Sequence, residues 1–316
     1  MRVTVIGAKG HVGTYLVPLL VEGGHEVTAV SRGRREPYSP HPAWGSVRPV
    51  LLDRAAEEQR GTFGEAIAAL EPDAVLDMIC FTPESQSMLV QALRGRVGHL
   101  LVCGTAWTHG HSTQVPARES DPREPFGPYG INKLAMERAL EAETSGGGIA
   151  GTTIHPGHIV GVGWPPLNPE GHFDPEVFRR ISQGEPILIP NLGMETVHHV
   201  HAEDVARLFV AALERPDQAS GEAFHAVSDR ALTLRGYAEA MFAWYGREPN
   251  LRFLPWEEWK QRRTEQQARY TWDHIAHSPN CSMEKARRLL DFEPRWTSLA
   301  AVQQAVAWLQ ARDFTP

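Results

Sequence analysis

The chain is predicted to fold as an α/β protein, a Rossmann-type doubly wound parallel sheet with a smaller mixed α/β C-terminal lobe. Three observations predict this. Short β-branched runs alternate with amphipathic helical segments through the first half, a rhythm that calls for right-handed crossovers and a parallel sheet. A glycine-rich turn separates the first such run from the first helical segment. The chain, at 316 residues and 42% hydrophobic, is also long for one compact domain.

Arg2 to Ile6 reads as a buried strand, short, β-branched and bounded by glycine. Gly7-Ala8-Lys9-Gly10-His11-Val12-Gly13 follows, then Thr14 to Leu20, whose apolar spacing suits a helix despite Pro18. Glycines at 7, 10 and 13 permit a tight turn, close approach of a pyrophosphate, and close packing of helix on strand. The phosphates would lie on the helix N-terminus, where free N–H groups and the macrodipole favour an anion. Position carries the assignment more than spacing does, because Gly-x-x-Gly-x-x-Gly is unremarkable in a chain with 28 glycines.

The second strand, Glu26 to Val30, ends in Ser31-Arg32-Gly33-Arg34-Arg35, where an acid would usually hold the adenosine ribose. A hydroxyl and three guanidiniums, Arg32 and Arg35 foremost, suit a 2′-phosphate, so NADP is preferred over NAD; the alternative is a solvated basic loop. The third strand, Val47 to Leu52, leads to Asp53, placed to accept from an adenine amino group or to cap the next helix. The fourth is Ala74 to Ile79, followed by Cys80, Phe81 and a helix from about Pro83. The fifth, His99 to Val102, enters Cys103-Gly104-Thr105-Ala106-Trp107-Thr108-His109. Gly7, Asp53, Cys80 to Phe81 and Thr105 thus share the carboxyl edge of the sheet, where ligands of such sheets bind.

In Gly127-Pro128-Tyr129-Gly130-Ile131-Asn132-Lys133, a helix opening at Pro128 puts Tyr129 and Lys133 on one face. A neighbouring ammonium favours the phenolate, and a tyrosine so poised exchanges a proton with an alcohol. The spacing by itself is equally that of a solvated helix face.

The Gly-x-x-Gly-x-x-Gly turn, Thr105 past the fifth strand and Tyr129-x-x-x-Lys133 beyond it together resemble the short-chain dehydrogenase/reductase family. More than 150 residues after the lysine point to its extended branch, the NAD-dependent epimerase/dehydratase group. The resemblance implies that Thr105 orients the reacting oxygen, that Tyr129 is the acid/base, and that Lys133 holds the nicotinamide ribose. Cys103-Gly104-Thr105 replaces the usual Ser-Ser-Ser/Thr, and Glu119 matches an acid further along. Ile154 to Gly161 resembles the strand end beside the nicotinamide, with His155 where arginine is usual and with Gly157 and His158 following. Val200-His201-Ala202-Glu203-Asp204 resembles a family helix start. The arginine loop and Asp77 to Phe81 also resemble the atypical chloroplast stem-loop-binding subgroup, some of which act on RNA. A dimer through the helices flanking Tyr129 is a further implication.

After a sixth strand, Gly151 to His155, the chain is rich in proline and glycine, as a loop crossing a cleft would be. Helices around Glu176 to Ser182, Ala202 to Leu213, after Thr233 and near Leu299 to Gln310, with strands Ile187 to Ile189 and Ala223 to Val227, are assigned to the smaller lobe. The division expected is a dinucleotide-binding domain over 1–156, onto which about 195–215 packs back, and a substrate lobe over 157–316.

The net charge of −7 and pI near 6.1 oppose a main partner with a nucleic-acid backbone or an anionic membrane. Three scattered cysteines suggest a reducing cytoplasm, and no leader or membrane span is evident. The 15 histidines lack a supporting carboxylate cluster, so metal binding is not expected; Trp107, His109 and His201 are candidates for substrate contact, packing and capping being the alternatives. The reaction expected is NAD(P)-dependent hydride exchange at a secondary hydroxyl or keto carbon of a sugar or sugar nucleotide, with epimerisation, dehydration and net reduction all left open. Reduction of a non-sugar carbonyl is the nearest alternative; an RNA-binding or cofactor-sensing protein of the same fold is the alternative of another class.

Overall fold

The computed structural model describes residues 1–315. In the first half, strands β1 (Arg2–Ile6), β2 (Glu26–Ser31), β3 (Arg48–Leu51), β4 (Ala74–Asp77), β5 (His99–Cys103) and β6 (Ala150–Pro156) alternate with helices α1 (His11–Glu22), α2 (Arg54–Gln59), α3 (Phe63–Ala68), α4 (Pro83–Leu93) and α5 (Gly127–Ser145). Then come β7 (His158–Val160), α6 (Glu176–Gln183), β8 (Ile187–Pro190), β9 (Thr196–Val197), β10 (His199–His201), α7 (Ala202–Glu214), α8 (Pro216–Ala219) and β11 (Ala223–Ala226). The chain ends with β12 (Leu232–Thr233), α9 (Leu234–Trp244), β13 (Leu251–Leu254), α10 (Trp256–Lys260), α11 (Glu265–His277), α12 (Glu284–Leu290) and α13 (Ser298–Gln310).

Seven strands form one sheet in the order β11-β6-β5-β4-β1-β2-β3, with every pairing parallel. The order reverses at β1, so the glycine turn after β1 opens at the switch point where ligands of such sheets sit. Both faces are covered, and the strand alternation sorts side chains between them. Val3, Val5, Leu76, Leu101 and Ile154 pack on the layer that contains α1 and α7, whereas Ile6, Val75, Leu100 and Val102 pack on α3, α4 and α5.

The segment Ala223–Ala226, assigned above to the smaller lobe, is instead the seventh strand of the main sheet, its His225 in register with His155. Phe209 of α7, Phe224 of β11, and Met283, Leu290 and Phe292 around α12 all lie in that first core. Packing therefore returns to the first lobe well beyond 195–215. The reason is the edge: β6, seven residues long and buried, would otherwise leave its backbone N–H and C=O groups on that side unpaired. The smaller lobe has its own core of Phe178, Ile187, Tyr237, Met241, Phe242 and Val302, framed by the short pairs β8–β13, β7–β10 and β9–β12. No helix among the described residues is long and apolar enough to cross a membrane.

Candidate functional site

At the carboxyl edge, the backbone carbonyls of Cys80, beyond β4, and Cys103, ending β5, have no further strand to bond. Both are taken by Lys133, whose Nζ donates to Cys80 O at 2.7 Å and Cys103 O at 2.5 Å. Lys133 is 2% exposed, so its ammonium depends on these two carbonyls for solvation. One N–H of the three remains for a ligand. Helix α5 delivers it there: Gly127 (φ +73°) turns the chain, Pro128 starts the helix, and Gly130 passes so close to Trp107 that a Cβ would lie 2.9 Å from its carbonyl oxygen.

Tyr129, one turn earlier, keeps 41% of its surface open, while Lys133 lies 5.8 Å from its ring centre. The ammonium was expected to favour the phenolate, and the geometry gives the opposite balance. Burial of the hydroxyl beside Cys103 pushes the Tyr129 phenol up to about 12, and the Thr105 hydroxyl next to it pulls back only in part. The lysine's N–H groups are directed at the two carbonyls, and none reaches the phenol. Burial thus favours the neutral phenol over the phenolate. Thr105 caps the short turn Ala106–His109: its Oγ1 accepts from Trp107 N at 3.3 Å, which leaves its own proton to donate.

The nucleotide side is a cavity of about 440 Å3 lined by Gly7, Lys9, Gly10, Ser31, Arg32, Arg35, Asp53 and Phe81, all of them expected, together with Arg34, Arg54, Phe63 and Ile79 among others. Gly7 has φ +84°, and a Cβ on Gly13 would lie 2.1 Å from Ala8 O, so this turn admits no side chain there. The first-turn N–H groups of α1, from His11, Val12 and Gly13, have no acceptor within the helix. Asp53 stands at the N-cap of α2 but makes no side-chain cap bond; its carboxylate meets Arg34 at 3.4 Å. Arg35 bonds the Tyr38 hydroxyl, and among the described residues Arg32 has no partner in an ion pair or hydrogen bond. These features fit an adenine dinucleotide.

Beneath the cavity lies a network that sequence reasoning missed. Arg54, 9% exposed, forks onto Asp77 at 2.8 and 2.9 Å and reaches Glu58 at 2.6 Å and Ser85 at 2.9 Å. Only the arginine next to Asp53 could have hinted at it.

Several histidines are not where they were expected. His155 is fully buried behind Thr105, and its Nδ1 accepts from Thr105 N at 3.0 Å, so it does not border the dinucleotide cavity. His109, 8% exposed, bonds the His225 ring at 2.8 Å instead of facing the cleft. His201 caps α7 by accepting from Glu203 N at 3.0 Å, bonds Gln304 and stacks on Trp296. Both were substrate candidates, and both serve the packing and capping alternatives. The His11 ring stacks on Trp164, and Cys80 lies buried behind Phe81. His158 packs among Phe173, His199 and His274, and Gly157 is held by the approach of His198 O, 2.3 Å from where a Cβ would stand. Trp107 remains at the site, edge-on to Tyr129 and stacked on His277 at 4.2 Å. No three His, Cys, Asp or Glu side chains among the described residues converge as a metal would require.

Residues 3–226 match the NAD dependent epimerase/dehydratase family. The chain belongs to that family. Among relatives of this epimerase/dehydratase chain, a 2′-dehydrokanamycin reductase of Streptomyces kanamyceticus is 29% identical over 265 residues, 84% of this chain and 72% of the relative. A chloroplast stem-loop binding protein of 41 kDa (b form) from Arabidopsis thaliana is 25% identical over 245 residues, 76% of this chain and 62% of that protein. Among solved structures, MoeE5 in complex with UDP-glucuronic acid and NAD superposes with a TM-score of 0.72 at 20% identity, covering 99% of this chain and 100% of that one. The fold is shared with that structure, and the family makes the chain an enzyme of the extended short-chain dehydrogenase/reductase type.

Proposed function

We propose that this epimerase/dehydratase family member uses NADP to reduce or oxidise a secondary hydroxyl or keto carbon of a sugar or sugar nucleotide. The observation that carries the reading is one juxtaposition: Tyr129 and Lys133 on one helix face, with Thr105 against the phenol and Lys133 5.0 Å from the ring centre of Phe81, which lines the cavity built on the glycine turn. When bound, the dinucleotide supplies redox chemistry at its nicotinamide ring. Lys133 would hold the nicotinamide ribose with its remaining N–H. Thr105 donates to the reacting oxygen, and Tyr129 protonates it. A phenol raised to about 12 is a donor over the whole neutral range, which favours net reduction of a ketone over oxidation of an alcohol. The unpartnered Arg32 supports the 2′-phosphate form, and the name of the kanamycin-series relative supports a keto-sugar substrate.

Two probes separate the sugar readings, 2′-dehydrokanamycin with NADPH and UDP-glucose with either nucleotide. Tyr129→Phe is expected to lose on the order of 10²-fold or more in turnover while cofactor affinity stays unchanged. Near-normal turnover in that variant would remove Tyr129 from its role.

A further inference from the structure

Two departures from the family pattern, Gly104 in place of serine and His155 in place of arginine, meet in space. A Cβ on residue 104 would stand 2.3 Å from His155 Nδ1, so only glycine there lets the imidazole reach the next peptide. What it reaches is the backbone N–H of Thr105, at 3.0 Å. Because the peptide N–H can only donate, His155 Nδ1 carries a lone pair and its proton lies on Nε2.

The far side of the ring lies against a carboxylate. His155 Nε2 lies 3.0 Å from Glu137 Oε2, close enough for an ion pair but not aligned as a hydrogen bond, and Arg123 pairs with the same carboxylate while donating to Glu119 O at 2.8 Å. Burial by itself would push the Glu137 carboxyl up, and the charge and hydrogen bond of Arg123 act to hold it down. Since Nδ1 accepts from the Thr105 N–H, Nε2 is the ring nitrogen that turns its N–H toward this carboxylate. Glu137 is on α5, the helix that carries Tyr129 and Lys133. His225, on the neighbouring strand, closes the same wall with its ring 6.4 Å from His155.

We propose that His155 is a positioning residue for Thr105, oriented by Glu137 and admitted by Gly104. It fixes the turn that presents the Thr105 hydroxyl to Tyr129, and it ties that turn to the helix bearing the phenol. The role rests on the reading of Thr105 given above, and it replaces the nicotinamide contact expected of residue 155.

The first test needs no substrate. In the full-length protein carrying 15N-histidine, with His155 assigned by comparison with His155→Asn, the ring is expected as the Nε2–H tautomer with a bare Nδ1 near neutral pH. A ring protonated on Nδ1, alone or together with Nε2, overturns the proposal.

The second test reads turnover with the two sugar probes. His155→Leu is expected to lower kcat by about 10- to 10²-fold with KM and NADPH affinity unchanged, the scale of a small misplacement of a reacting group. His155→Asn, whose Oδ1 can take over the Thr105 N–H, is expected to recover most of the loss, and Gly104→Ala to reproduce it. An unchanged kcat in His155→Leu, or an Asn variant no better than Leu, ends the proposal. If His155→Leu does not fold, Gly104→Ala decides the turnover arm. Undiminished activity in Tyr129→Phe would instead discard the catalytic reading and leave the tautomer measurement to decide this inference by itself.

Discussion

Arg32, Arg34 and Arg35 are chemically alike, and their partners tell them apart. Arg34 meets Asp53 and Arg35 meets Tyr38, whereas Arg32 lines the cavity without a partner. Arg32→Ala is therefore expected to weaken NADP by about 10- to 10²-fold, the worth of one or two hydrogen bonds to a charged group, and to leave NAD nearly unchanged. Equal weakening of both nucleotides, measured by fluorescence titration, would show that Arg32 does not contact the 2′-phosphate. Residues such as Gly7, Tyr129 and Lys133 were legible in the sequence because a turn or a single helix face decides their placement. His109, His155 and His201 were not, since their partners His225, Glu137 and Gln304 are brought in from other elements. The surroundings of Lys133 have the same origin: the carbonyls it bonds are those of Cys103, ending β5, and of Cys80, beyond β4.

Element boundaries were legible wherever caps and periodicity are local. Helix α5 opens at Gly127-Pro128, and α4 opens at Pro83 with Thr82 accepting from Ser85 N at 3.3 Å. Helix α7 was legible from Ala202 onward, but its anchorage was not. Asp204, 1% exposed, accepts from the N–H groups of Arg295 and Trp296 at 2.9 to 3.0 Å and pairs with Arg207 at 2.9 Å, tying α7 to the segment before α13. Asp204→Ala leaves those donors without an acceptor and is expected to cost about 2 kcal/mol, read as a lower urea midpoint. Turnover per folded molecule is expected to stay normal, because α7 touches neither Tyr129 nor the nucleotide cavity. A midpoint equal to that of the parent would count against the tie.

For the molecule as a whole, the buried histidines set the response to acid. Burial holds His99, His198, His274 and His277 down at about 4, and His109, His199 and His225 at about 3. In the unfolded chain each takes a proton below about pH 6.5, while in the folded chain it stays neutral to the lower value, so unfolding binds protons in that window. Stability is then complete above about pH 6.5 and falls as the pH drops toward 4, each histidine adding about 1.4 kcal/mol per pH unit. Urea unfolding near pH 7 and near pH 5 measures the slope, and equal free energies at the two would refute it. The sequence by itself determined the parallel αβ alternation, the glycine turn, the arginine loop and the pairing of Tyr129 with Lys133, because period, turn and cap are properties of adjacent residues. Only the tertiary structure decided that β11 closes the main sheet, that Lys133 bonds the carbonyls of Cys80 and Cys103, and that His155 lies behind Thr105. Those outcomes depend on burial and on carbonyls and carboxylates from distant segments, and the chain order carries no distance between such groups until the sheet has formed.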